Sequence, residues 1–276
     1  MMNNSSERNI PLPIQREVRK RCGFGCVICG FPLYEYDHLK EWAIVREHKA
    51  EDITLLCDKH HKEVTTGLLP RTKVVEANKN PFNLREGKSS EMFLHFEGNS
   101  CEVHIGGNSF TTETNGEYSE SIPILIDGIP IVAFILQDNQ LLLNVNIFDE
   151  FNQIVMRIVN NELSYTTSPW DIQLVGTTLT IREKVRKFLL RIKFEPPNKI
   201  FIEKARLLCN GVEILVDENS ILITNNNTLI RGCKANNCHG GLIIGGKPIG
   251  GFMYIGQVPR YLGDSKKSIE WAKSLD

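Results

Sequence analysis

Four residues near the start of the chain have the spacing of a zinc site, and this spacing constrains the fold more than any other feature. Cys26 and Cys29 are separated by two residues, and Cys57 and His60 repeat that separation after a gap of 27 residues. Zinc prefers four nitrogen or sulfur ligands in a tetrahedron, and a two-residue gap lets a single turn present two of them. We therefore predict a structural zinc ion bound by Cys26, Cys29, Cys57 and His60.

Three further residues of the same stretch are left over once zinc has its four ligands. Asp37 and His38 are adjacent, and His61 directly follows the fourth predicted ligand. A neutral imidazole can accept a proton near pH 7, and a carboxylate with a second imidazole can hold one divalent cation. Phosphodiester hydrolysis needs both of these functions. The three residues therefore indicate an enzyme rather than a zinc-stabilised fold alone.

The stretch from about residue 12 to residue 70 resembles the HNH endonuclease family, which has the ββα-metal (His-Me finger) fold. The resemblance is carried by Cys26-x2-Cys29, then Asp37-His38, then Cys57-x2-His60-His61. It implies that His38 is the general base that activates water, and that Asp37 and His61 hold a catalytic divalent cation, Mg2+ or Mn2+. It also implies that the zinc ion supports the fold without taking part in the reaction.

The chain departs from the family pattern at two positions. Five residues before Cys57 the family usually has Asn, which braces the loop near the catalytic His, whereas this chain has Asp52. An aspartate keeps the hydrogen-bond acceptor of asparagine but lacks its NH2 donor. We therefore include Asp52 among the predicted catalytic residues as a loop brace. His60 replaces the usual fourth Cys, which zinc accepts readily.

Other polar residues nearby are expected to lie at the surface. His48 is flanked by charged residues and is predicted to be a solvated loop residue. Several cations could contact a nucleic-acid backbone, but each one alone is expected to be ordinary surface charge; they are Lys40, Arg46, Lys49, Lys62, Arg71 and Lys73. Residues 1–88 have a net charge of +3 and the remainder has −4, a weak basic bias where phosphate would bind.

Changes in composition along the chain predict its domain organisation. We expect a disordered N-terminus at 1–10, an HNH domain at 11–75 and a Pro/Asn/Lys-rich linker at 76–90. Short apolar runs separated by Asp-Gly, Asn-Asn and Asn-Gly turns follow at intervals of about ten residues and predict an all-β domain over 91–276. The expected fold class is therefore α+β: a small zinc-stabilised ββα-metal domain followed by a sandwich or a β-solenoid.

A few segments of the second domain allow more specific expectations. Residues 183–188 and 265–274 are expected to be helical, and glycine pairs between 240 and 251 would suit the stacked turns of a solenoid. Cys233, Cys238 and His239 are expected to be loop residues, because a fourth ligand for a second metal site is missing.

The predicted function is that of a metal-dependent endonuclease acting on DNA, with a role in bacterial defence suggested by family analogy. The chain has no apolar run long enough to span a membrane and its first residues lack the pattern of a signal peptide, so we expect a cytoplasmic protein. Two alternatives stay open: a non-catalytic module that binds nucleic acid, and a β-rich domain that senses a ligand or partner protein and controls the nuclease. A homo-oligomer is also left open.

Overall fold

The computed structural model of the chain describes residues 9–39, 47–247 and 249–260. Most of the regular structure is strand and only a small part is helix, so the fold class is mixed α+β. Within these residues no helix is both long enough and apolar enough to cross a membrane. Two compact units are present: one contains the chain up to Met92 together with Ser164–Leu174, and the other contains Phe93–Leu163 and the chain from Val175 onward.

The first unit begins with helix α1 (Leu12–Arg21). Pro11 and Pro13 flank its first residue, where a missing backbone N–H costs nothing because the first helical N–H groups have no partner within the helix. Arg19, Lys20 and Arg21 lie in the last turn, where positive charge interacts favourably with the helix dipole. Gly23 follows with a positive φ of 69°, which ends the helix.

Two short antiparallel strands and a helix form the centre of this unit. Strand β1 (Glu35–His38) pairs with β2 (Ile53–Leu56) in a register that places Asp37 opposite Thr54 and His38 opposite Ile53. Helix α2 (Asp58–Thr65) follows Cys57, which occupies its N-cap position. Cys57 has the extended backbone angles of an N-cap residue, whereas Asp58 is already helical.

Residues 71–86, which overlap the predicted linker, contain two more helices. They are α3 (Arg71–Lys79) and α4 (Phe82–Glu86), each preceded by a proline at its N-cap. A short 3-10 helix (Ala50–Asp52) leads into β2. The apolar core of the unit joins these elements, and its fully buried members include Val18, Cys22, Val27, Leu55 and Val74.

Residues 164–174 are distant in sequence from the rest of the first unit but are bound tightly to it. The carboxylate of Asp171 accepts hydrogen bonds from Nε and Nη2 of Arg19 at 2.9 and 2.8 Å, and both side chains are at least 95% buried. The hydroxyl of Tyr165 donates to the carbonyl oxygen of Phe24 at 2.7 Å. The guanidinium of Arg16 lies 4.1 Å from the ring centroid of Trp170. We call residues 164–174 the strap.

The rest of the chain is built from short strands, most of them joined by tight turns. Their bounds are β3 (Met92–Phe93), β4 (Ser100–Ile105), β5 (Asn108–Glu113), β6 (Ser119–Ile126), β7 (Ile129–Gln137), β8 (Gln140–Phe148), β9 (Ile154–Val159), β10 (Glu162–Tyr165), β11 (Asp171–Val175), β12 (Thr178–Lys184), β13 (Lys187–Glu195), β14 (Lys199–Cys209), β15 (Val212–Val216), β16 (Ile221–Ile223), β17 (Thr228–Ile230), β18 (Lys234–Asn236), β19 (Gly240–Ile244) and β20 (Gly251–Ile255).

The strands of the second unit form two sheets. One has the order β20-β19-β6-β7-β8-β9, and the other has β12-β13-β14-β15-β16-β17, with β4 also beside β14 and continuing through β5 to β18. Strands of the two sheets contact each other, β8 with β14 and β4 with β7. Because most neighbouring strands are antiparallel, the arrangement favours the sandwich over the parallel coils of a solenoid.

The turn signals of the sequence coincide with the hairpins of the second unit. Asp127, Asp138, Asn160 and Asn210 all have positive φ, as two-residue turns of type I′ require.

Two of the glycine pairs, at residues 240–241 and 250–251, have a different role from the stacked turns that were expected. Gly240 and Gly251 are partners in the parallel pair β19–β20, and a Cβ at either position would collide with the side chain of Ile243. These glycines therefore permit close packing between strands.

The helix expected over residues 183–188 is wrong. Residues 178–184 and 187–195 are the antiparallel strands β12 and β13, and Arg186 in the turn between them has a φ of 60°. The apolar residues of β13 alternate with polar ones along most of its length, so its apolar face is buried as a strand.

Some of the predictions fall outside the described residues. The helix expected over 265–274 is one of them, and the predicted disordered N-terminus is another, except for Asn9 and Ile10. Lys40 and Arg46, two of the cations expected at the surface, also lie outside the described ranges.

Candidate functional site

The four predicted zinc ligands converge at one point of the first unit. Cys26 and Cys29 lie in the turn before β1, Cys57 lies between β2 and α2, and His60 lies in the first turn of α2. Their donor atoms all lie within 4.8 Å of one another. Cys29 Sγ is 3.7 Å from Cys57 Sγ, and His60 Nδ1 is 3.4 Å from Cys26 Sγ and 3.3 Å from Cys57 Sγ.

These distances match the edges of a zinc tetrahedron. Zn–S bonds of about 2.3 Å and Zn–N bonds of about 2.05 Å give edges of about 3.8 Å between sulfurs and about 3.6 Å between sulfur and nitrogen. The sulfurs are much too far apart for a disulfide, whose S–S bond is about 2.05 Å. A hydrogen bond from Cys29 lowers the pKa of the Cys26 thiol, which favours the thiolate form that zinc binds. The group could therefore bind a zinc ion.

The turn that presents Cys26 and Cys29 is supported by α4. Gly30 N donates to Cys26 O at 2.7 Å and has a φ of +76°, which closes the turn. The buried side chain of Asn83 packs against the turn and donates to Gly23 O at 2.8 Å. A Cβ at Gly25 would lie 2.7 Å from Gly30 O, so the turn requires glycine there. Asn83 was not among the predicted site residues, because nothing in its local sequence relates it to the cysteines.

Asp37 and His61 are brought together beside this cysteine and histidine group. His61 Nε2 lies 3.6 Å from Asp37 Oδ1, and His61 Nδ1 lies 3.1 Å from Glu35 Oε2. Glu35 and Asp37 are two residues apart on β1, so their side chains project from the same face of the strand, toward α2. The other oxygen of Asp37, Oδ2, accepts a hydrogen bond from Nη1 of Arg71, the first residue of α3.

His38 has a different neighbour. Its Nε2 lies 3.3 Å from Nδ1 of His48, and the two rings have centroids 5.4 Å apart. His48, which was expected to be a solvated loop residue, is therefore a direct neighbour of the predicted base. Burial and, to a smaller extent, His48 lower the pKa of His38, while Asp37 and Asp52 act in the opposite direction. The lowered pKa favours the neutral imidazole, which is the form that can accept a proton.

Asp52 is the last residue of the short 3-10 helix that leads into β2. Its carbonyl oxygen accepts a hydrogen bond from Leu39 N at 2.8 Å, and its N–H donates to Lys49 O at 3.1 Å. The main chain of Asp52 thus fixes the residue that follows His38, and its side-chain charge acts on the imidazole of His38.

Two residues of this cluster were not predicted to be part of a site. Glu35 could have been recognised, because an acidic residue two positions before Asp37 on a strand must share its face. Arg71 was expected to be surface charge, and its ion pair with Asp37 spans 34 residues, so no local pattern signals it.

Among the residues that the structure describes, the Cys26, Cys29, Cys57 and His60 group is the one set of three or more donors close enough to share a metal ion. Asp37 and His61 form a pair of donors, and Cys233, Cys238 and His239 do not gather into such a set. In comparisons with known proteins, no protein-family model, curated protein or solved structure matches the chain.

Proposed function

We propose that the first unit is a zinc-stabilised ββα-metal nuclease of the HNH type, which hydrolyses phosphodiester bonds in DNA. One observation carries the proposal: α2 presents His60 to three cysteines while its neighbour His61 lies 3.6 Å from Asp37, at the end of the β1–β2 pair. Successive residues of an α-helix point about 100° apart, so one helical turn can serve a structural metal and a catalytic cluster.

Zinc has a structural role in this proposal. With Cys26, Cys29, Cys57 and His60 all bound, a tetrahedral ion has no open position for substrate. When bound by these four residues, a zinc ion would tie the turn before β1 to the start of α2, and so would fix the two elements that hold Asp37 and His61.

Asp37 and His61 would hold one catalytic Mg2+ or Mn2+. When bound, such a cation neutralises charge on the phosphate and stabilises the leaving oxygen. Glu35 supports this role for His61, because an imidazole that ligates a metal commonly donates its other N–H to a carboxylate. That hydrogen bond would leave Nε2, the nitrogen that faces Asp37, free of a proton.

His38 acts as the general base. Its lowered pKa favours the neutral imidazole, the form that can accept a proton from the attacking water. His48 lies within hydrogen-bonding distance and orients the ring. Asp52 holds Leu39, the residue after His38, through its carbonyl oxygen, a main-chain contact that asparagine and aspartate make equally well.

The β-rich unit would control target choice or activation, through a ligand, a partner protein or a second copy of the chain. We also propose that the protein works in the cytoplasm and that its cutting is directed at phage or other foreign DNA, because an unregulated nuclease would endanger its host.

The test is cleavage of supercoiled plasmid, linear duplex and single-stranded DNA by the purified, zinc-loaded protein. We expect nicking or linearisation with Mg2+ or Mn2+, no cutting in EDTA, and a loss of at least a hundredfold in rate for His38→Ala. His95→Ala, an exposed histidine of the second unit, is the matched control and should cut at the parent rate. Cation-dependent cutting that survives His38→Ala, or no cutting of any substrate, refutes the proposal for the substrates tested.

A second candidate function is supported by the partner of Asp37. Arg71 already neutralises that carboxylate, and the position usually held by Asn is Asp52, as could occur in a binding module without catalytic activity. Such a module would bind DNA without Mg2+, and Asp37→Ala or His61→Ala would not change its affinity. A nuclease would instead lose Mn2+ binding in both variants.

A further inference from the structure

Arg71 occupies a position between a buried carboxylate and solvent. The side chain of Asp37 is 91% buried, whereas that of Arg71 is 41% exposed. One oxygen of Asp37 is bound by Arg71 and the other faces His61. The guanidinium therefore neutralises the same carboxylate that a divalent cation would need.

A cation held by Asp37 and His61 would change the electrostatics of this contact. It would bring two positive charges to within a few ångströms of the guanidinium, and like charges at that distance repel strongly in a partly buried site. The attraction of Arg71 for Asp37 would be offset at the moment when a phosphate, attracted to the same cation, becomes available as a new partner.

Arginine is well suited to make that change of partner. Its planar group has five N–H donors in a fixed arrangement, which matches both carboxylate and phosphate oxygens. Charge-assisted hydrogen bonds from arginine to phosphate are among the stronger polar contacts that proteins make. The side chain is long and partly exposed, so it can reach from Asp37 toward solvent.

We propose that Arg71 exchanges partners: it pairs with Asp37 in the cation-free protein, and it binds a backbone phosphate of the nucleic acid when a divalent cation occupies Asp37 and His61. The exchange rests on the proposed function, because it needs the cation site and a phosphodiester substrate. It makes the binding of cation and of nucleic acid cooperative, since each favours the state in which Arg71 has left Asp37.

The test uses the full chain with His38→Ala as the parent, so that substrate is bound but not cut. Mn2+ affinity is measured by electron paramagnetic resonance, and affinity for a fluorescein-labelled DNA duplex is measured by anisotropy with and without Mg2+. Arg71→Ala should raise Mn2+ affinity about tenfold, because a competing positive charge is removed. The same variant should lower DNA affinity in Mg2+ about tenfold or more and reduce the slope of log K against log salt by about 1.

Two further variants separate the exchange from simple charge loss. Lys73→Ala removes a cation of the same helix that pairs with Glu76 at the surface, and it should change neither affinity by more than about twofold. Arg71→Lys keeps the charge but loses the planar group, so it should bind Mn2+ like the parent and DNA several times more weakly. Zinc content and the thermal unfolding temperature are measured for each variant, to check that the fold is retained.

The partner exchange predicts that Arg71→Ala raises the affinity for Mn2+ and lowers the affinity for DNA in Mg2+. Weaker Mn2+ binding in Arg71→Ala, or an equal loss of DNA affinity with and without Mg2+, overturns the exchange while leaving the nuclease proposal intact. A parent protein that binds no Mn2+ at all overturns both.

Discussion

His60 and His61 are adjacent in sequence but have different partners. His60 Nδ1 lies 3.4 Å from Cys26 Sγ, while His61 lies near Asp37 and Glu35. Loss of each side chain should therefore have a different consequence. His60→Ala should lower zinc content well below one ion per chain and destabilise the first unit, because a structural site with three ligands binds zinc much more weakly.

His61→Ala is the matched comparison, since it removes the same imidazole one position later. It should retain one zinc ion per chain, measured by inductively coupled plasma mass spectrometry on dialysed protein, and should lose Mn2+ binding. Equal zinc content in both variants would contradict the assignment of His60 as a ligand.

Glu35 allows a prediction that tests the orientation of His61. If the carboxylate of Glu35 fixes the ring through Nδ1, then Glu35→Gln should weaken Mn2+ binding by about tenfold, the lower end of the range for residues that hydrogen-bond to metal ligands. Isothermal titration calorimetry with Mn2+ measures the change. Glu76→Gln, which alters an exposed ion pair on α3, serves as the control. An unchanged affinity in Glu35→Gln would show that Glu35 is only a surface neighbour.

Whether the sequence can predict the role of these residues depends on how far apart in sequence their contact partners lie. The spacing of Cys26 and Cys29 is a local property, and so is that of Cys57 and His60, so the sequence alone could indicate that their donors meet. The contacts of Arg71 with Asp37 and of His48 with His38 depend on how loops and helices return to β1. The sequence around Arg71 and around His48 consists of ordinary surface residue types, and no local pattern identifies either residue as part of a site.

Secondary-structure elements around the cysteine and histidine group are too short to be stable by themselves. Strands β1 and β2 have four residues each, and α2 has eight residues with none fully buried. An isolated two-stranded ribbon or two-turn helix is marginal in water. We therefore expect these elements to depend on the core beneath β2 and on a zinc ion held by the cysteine and histidine group.

Removal of zinc should consequently unfold this part of the chain selectively. After treatment with a chelator, amides of β1, β2 and α2 should exchange with deuterium many times faster, while amides of β7 and β8 in the second unit keep their protection. Hydrogen exchange followed by mass spectrometry measures both in one experiment. Uniform protection after complete removal of zinc would show that the apolar core alone maintains the elements.

The β-rich unit shows which elements a sequence can indicate. Asp-Gly and Asn-Gly pairs favour the left-handed angles of two-residue turns, and such pairs marked several hairpins correctly, for example at Asp127 and Asn210. The helix predicted over residues 183–188 is wrong, because charged residues at a hairpin end have no strong strand preference. Pairing with the neighbouring strand decided their conformation instead.

The chain as a whole is organised in a way that composition could not reveal. The strap at residues 164–174 lies within a long series of strands but belongs to the first compact unit. Asp171 and Arg19 are 152 residues apart, and Arg19 also donates to the hydroxyl of Tyr36, the neighbour of Asp37 on β1. The domain boundary near residue 90 that composition predicts separates the strap from helix α1, to which the strap binds.

The buried pair of Arg19 and Asp171 makes the stability of the first unit depend on the strap. Asp171→Ala would leave the guanidinium of Arg19 buried without its counter-ion, and breaking such a pair costs about 3–5 kcal/mol. We expect the free energy of unfolding of the first unit to fall by about this amount, measured by urea denaturation with hydrogen exchange at β1 as the local probe. Asp138→Ala, in an exposed hairpin turn of the second unit, should leave β1 unchanged. If Asp171→Ala instead reduces the stability of the second unit and spares β1, the strap does not support the first unit.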